Sequence, residues 1–176
     1  MDFTIQASLP RNTSTYCVED KKISEAIETV FPMMTEDAFM VWNTIYIPLS
    51  YKYDISYMID DILMMLRKLR EDTNGGTMQI AWPSDTFAAK WDLKWDNKTL
   101  IINTRWNCVS GHVEKLLNES NSMQIEIRDF ITEWKSVLKV LIDNLLACGY
   151  CESNLSDING LYDEFNAIDN YGAFYN

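Results

Sequence analysis

Four residues in this chain are of types that hold metals or move electrons. Cys148-Gly149-Tyr150-Cys151 is a Cys-x-x-Cys, and Cys108 and His112 stand four apart. Their softness and number would suit tetrahedral zinc. Structural zinc sites usually draw ligands from tight knuckles on both sides, and here one half leans on the only histidine of the chain. A redox reading of Cys148 and Cys151 is also poor. Thioredoxin-like pairs sit at a helix N-terminus, where the dipole lowers the thiol pKa. This pair follows a long helical pattern, where the dipole has the opposite sign. The expectation is that Cys17, Cys108 and Cys148 are small buried hydrophobes, with no metal and no cofactor. Only the fold can say whether Cys108, His112, Cys148 and Cys151 meet in space.

Acid–base and nucleophilic chemistry fare no better. His112 would have to serve as the base, with Ser110 nearby, yet nothing like Gly-x-Ser-x-Gly surrounds that serine. Asp60 and Asp61 fall within a helical pattern, where adjacent side chains diverge by about 100°. Such a pair does not share one proton-transfer site, and both acids read as a solvated face. No catalytic residue is assigned, and the chain is not expected to be an enzyme.

The elements that would position these residues are legible from periodicity. Phe3 to Leu9 alternates as a half-buried strand. Ile23, Ala26, Ile27 and Val30 have helical spacing, stopped by Pro32. Phe39 to Leu49, rich in aromatic and β-branched residues, reads as one strand. Asp54 looks like the N-cap of a helix with an apolar stripe at Ile55, Ile59, Ile62, Leu66 and Leu69. Beyond Asn74-Gly75-Gly76, three strands alternate. They place Met78, Ile80 and Trp82, then Phe87, Ala89, Trp91, Leu93 and Trp95, then Leu100, Ile102, Thr104 and Trp106 on one face. This predicts an antiparallel meander with one wet face. A short helix over Val113 to Leu117 and a strand through Met123, Ile125 and Ile127 follow. A long helix capped by Asp129 then runs to Gly149, and a last helix starts near Ser156. The expected fold is α+β, an antiparallel sheet with helices packed mainly on one face, in one domain over residues 1–176.

Composition narrows the function. The chain has 26 acids against 15 bases, a net charge of -11. That charge repels a phosphate backbone, so nucleic acid is not an expected partner. The longest apolar stretch, Ile55 to Leu66, is interrupted by Asp60 and Asp61, far short of the ~20 residues of a membrane span. No basic leader opens the chain, and a cytoplasmic protein without membrane contact is expected.

What remains suits binding. From Glu152 to Asn176 there are five acids and no base, interleaved with aromatic residues. Asp157, Asp163, Glu164 and Asp169 in this stretch are candidate partner contacts, as are Asp60 and Asp61. Trp42 is opposite in phase to Val41, Ile45 and Ile47, and is therefore expected on the outer face, where it too could meet a partner. With these acids and no catalytic motif, the chain resembles, as a class, the immunity proteins of bacterial toxin systems, including contact-dependent growth inhibition. The resemblance implies a protein that binds a cognate toxin domain and blocks it or holds it inactive. Toxin domains that attack nucleic acid are commonly basic, so an acidic inhibitor gains electrostatic steering. Other readings are a phage-encoded anti-defence inhibitor, or an enzyme whose small-ligand site is assembled from residues distant in sequence.

Overall fold

The computed structural model describes residues 2–173, with side chains as far as Ile168. Two antiparallel sheets and five helices make an α+β fold. The first sheet has the order β1-β2-β3, from Phe3–Gln6, Ala38–Trp42 and Ile45–Leu49. The second is the expected meander, β4-β5-β6-β7, from Gly76–Ser84, Phe87–Trp95, Thr99–Val109 and Ser122–Glu126. Between β1 and β2 lies α1 (Ile23–Val30). A π-helical turn (Tyr51–Ile55) and α2 (Ser56–Glu71) join the sheets. Then α3 (Glu114–Glu119) precedes β7, and α4 (Ile127–Ala147) and α5 (Ile158–Ala173) close the chain.

The alternation in the meander holds residue for residue. Ile80, Trp82, Phe87, Ala89, Trp91, Leu93, Trp95, Leu100, Ile102, Thr104 and Trp106 are buried, and the strand residues alternating between them face water apart from the half-buried Ala88. The helices gather on the inner side, where α2 packs along β4 through Met58, Ile59, Ile62, Met65, Leu66 and Leu69. The outer face of the larger sheet is left open. On the smaller sheet α4 covers the β1 edge. Glu133 accepts the Ile5 amide at 2.8 Å, and the Ser136 hydroxyl donates to the Ile5 carbonyl at 3.4 Å. An unpaired strand edge is thereby closed to other chains.

The segment expected as one strand from Phe39 to Leu49 is a hairpin. Asn43 and Thr44 take φ of 45° and 71°, forming a two-residue turn between the paired Trp42 and Ile45. Positive φ at both central residues gives the turn a twist that matches paired strands. The turn resets the side-chain phase: Trp42 shares a face with Ile45 and Ile47 instead of opposing them. The expectation of an outward Trp42 is therefore corrected. Trp42 is fully buried, and its indole N–H donates to the Ser120 carbonyl at 2.9 Å. Its ring lies 5.5 Å from Trp91 and 5.6 Å from Trp106, so it joins the inner faces of the two sheets.

Candidate functional site

The start of α2 is built by three hydroxyls and a carboxylate. Ser50, not Asp54, is the N-cap: its hydroxyl accepts the Tyr53 amide at 3.4 Å. Asp54 reaches back, its Oδ2 accepting the Ser50 amide at 2.8 Å. This is a capping box lengthened by one residue, as the wider π turn requires. Asp54 Oδ1 accepts from Ser84 Oγ and Thr86 Oγ1, each at 2.5 Å. The helix start is thus tied to the β4–β5 turn, and a carboxylate that is only 1% exposed has its acceptor positions filled.

With its apolar stripe committed to the sheet, this helix turns a distinct ridge to solvent. Tyr53, Tyr57 and Met64 are 40%, 60% and 48% exposed. Spaced by about one or two helical turns, they share a face. Asp60 is exposed and Asp61 half-buried, and both fall between Tyr57 and Met64. Burial, and then the charge of Asp60, hold the Asp61 carboxyl above its ordinary value. The ridge continues into an open groove of about 440 Å³ lined by Asp60, Leu63, Met64, Arg67, Lys68 and Glu71. Acids and aromatic rings dominate its N-terminal half, and bases enter toward the helix end. The ridge thus presents two carboxylates beside exposed aromatic and thioether surface.

The other expected contacts lie elsewhere, and two have structural duties. Glu164 was expected at the surface; it is fully buried between α2 and α5. Arg70 grips both its oxygens, Nε to Oε1 at 3.2 Å and Nη2 to Oε2 at 3.0 Å, while Arg67 Nε lies 3.8 Å from Oε2. Hydrogen bonds to Glu164 in turn raise the Arg70 guanidinium above its usual value. Arg70, with Arg67 one turn earlier on α2, therefore anchors the last helix. Asp157 is half-buried, and its Oδ2 accepts the Ile23 amide at 2.8 Å, capping α1 where Lys22 offers no acceptor. Asp163 is exposed on α5. The side chain of Asp169 lies outside the described residues, as do those of Tyr171, Phe174 and Tyr175.

Among the described residues no group of three or more His, Cys, Asp or Glu side chains is placed to hold a metal ion. Cys108 and His112 lie at the end of β6 and in the turn beyond it, while Cys148 and Cys151 flank the end of α4. Cys108 donates to the Asp85 carbonyl, and Cys151 contacts the Ser153 hydroxyl, which lowers its thiol pKa. His112 is exposed in a left-handed turn residue with φ of 54°. Tyr53, Tyr57 and Met64 escaped the sequence reading because a helix stripe was sought only on its apolar side. The i, i+4 spacing of the two tyrosines was the available signal.

No protein-family model matches this chain, and no curated protein or solved structure matches it. Among the described residues no helix is long and apolar enough to cross a membrane.

Proposed function

We propose that this chain is a toxin-neutralising protein of the immunity class. It binds a basic toxin domain and blocks it, and the contact is centred on the exposed ridge of α2. The observation that carries the reading is the row Tyr53, Tyr57, Asp60, Asp61 and Met64. Two aromatic anchors and a flexible thioether surround two acids, and burial, then the charge of Asp60, raises the cost of ionising Asp61. A cationic partner relieves that cost, and the tyrosines supply rigid contact area. Two adjacent acids instead of a long regular row favour a protein partner over mimicry of nucleic acid. The C-terminal acids contribute less, because Glu164 and Asp157 are engaged within the fold.

The direct test is protection. If a toxin domain is encoded beside this gene, cells producing it should grow when this chain is co-produced. Protection should fall with Tyr57→Ser and with Asp60→Asn/Asp61→Asn, while the circular dichroism of both variants matches the parent. Full protection by both folded variants would remove α2 from the contact.

A further inference from the structure

The outer face of the larger sheet carries three bases, Lys90, Lys94 and Arg105, against two acids, Asp92 and Glu126, in a molecule whose overall balance is acidic. Lys90, Asp92 and Lys94 project from β5, and Asn103, Arg105 and Asn107 from β6, all exposed. Lys90 stands directly opposite Arg105 in the register. Like charges in directly opposed positions destabilise a sheet. Asp92, the acid nearest them on β5, is engaged by the Gln79 side-chain amide at 2.6 Å. None of Lys90, Lys94 and Arg105 has an ion-pair partner among the described residues. In a chain with 26 acids and 15 bases, three unneutralised cations on one open face are not the default outcome. The face is also amide-rich, with Gln79 and Asn103 paired to Asp92 on either side. It lies across the sheet from α2, so a partner seated on the ridge leaves it free.

We infer that this face is a second docking surface, for an acidic protein segment laid across β5 and β6. Charge complementarity identifies the occupant. Carboxylates between Lys90 and Arg105 turn a repulsive cross-strand pair into an attractive one, and the amides of Asn103 and Asn107 offer donors alongside. The net charge of -11 acts against a long polyanion such as nucleic acid. A short acidic segment feels mainly the local cations, since charges beyond about 8 Å are screened at physiological salt. The inference stands apart from the role of α2.

A decaglutamate peptide is the probe, titrated into the full-length ¹⁵N-labelled protein. Amide shifts should cluster at Lys90, Lys94, Asn103 and Arg105 and weaken as salt is added. Lys90→Glu/Arg105→Glu should weaken binding about tenfold or more. Lys90→Gln/Arg105→Gln should weaken it less, and provides the reading if the charge-reversed variant does not fold. Asp60→Asn/Asp61→Asn should leave the peptide affinity unchanged, which separates this surface from the α2 contact. Shifts absent from β5 and β6, or equal affinity in a folded Lys90/Arg105 variant, would overturn the inference. So would tighter binding of a ten-nucleotide thymidine strand on the same face, which would make the surface a nucleic-acid site.

Discussion

Glu164 shows how far a charge can be from the surface its sequence neighbours suggest. It sits in a run without bases, and its partner Arg70 is 94 residues away, so no local pattern reveals the pairing. Removing Glu164 takes two charge-assisted hydrogen bonds from Arg70, which keeps Glu71 and water as partners, at a cost of about 1.5–3 kcal/mol. Glu164→Ala should therefore lower stability by that order in urea denaturation, whereas Asp163→Asn one position earlier should stay within about 0.5 kcal/mol of the parent. Asp61 is the opposite case. Its folded-state pKa is raised, so the native state binds the proton more tightly than the unfolded chain does. The sign follows: the carboxylate weakens the fold at neutral pH, and the penalty fades as pH falls through the raised value. Asp61→Asn should raise the neutral-pH denaturation midpoint, with the gain shrinking toward acid pH.

At the scale of elements, the two connections that period alone could not read are both made of turn chemistry. The Asn43-Thr44 turn lacks the glycine that usually marks a two-residue hairpin, so the strand seemed continuous and Trp42 was assigned to the wrong face. Thr44 is β-branched at φ of 71°, a conformation glycine adopts without strain. Thr44→Gly should stabilise the protein by roughly 0.5–1 kcal/mol, the relief of strain exceeding the added chain entropy. A drop in thermal midpoint would show that the threonine side chain does something else there. The start of α2 was legible as a cap but one turn too late, because the π turn and the reach of Asp54 to Ser84 and Thr86 are tertiary. Thr86→Val removes one hydroxyl from a buried carboxylate and should cost about 1–3 kcal/mol by chemical denaturation.

The molecule as a whole is organised by the aromatic contact between its sheets. The alternation of Trp91, Trp95 and Trp106 with Lys90, Asp92, Lys94 and Arg105 marked the meander and its buried face directly, because strand period is a local property. That two sheets exist, and that Trp42 joins them, followed only from the hairpin. Trp91→Ala should destabilise by about 3–5 kcal/mol, since Trp91 is fully buried with Trp42, Trp82 and Trp106 around it. An unchanged denaturation midpoint would contradict the packing between the sheets. The candidate site was partly legible: Asp60 and Asp61 stood out as solvated acids, while their setting between exposed tyrosines needed the helix rotation that the sheet imposes.

The sign of the charges also differs across the molecule, acidic and aromatic at the start of α2 and net basic on the outer face of the larger sheet, and the central claim concerns the first. Under the proposed function it is tested most directly by the association rate of the purified chain with the product of the adjacent gene, if that gene encodes a toxin domain, measured by stopped-flow fluorescence over a range of ionic strengths. Asp60→Asn/Asp61→Asn should slow association at low salt by about tenfold and flatten its salt dependence, with little change at high salt. A double variant that associates as fast as the parent at low salt, with the same salt slope, would contradict the account.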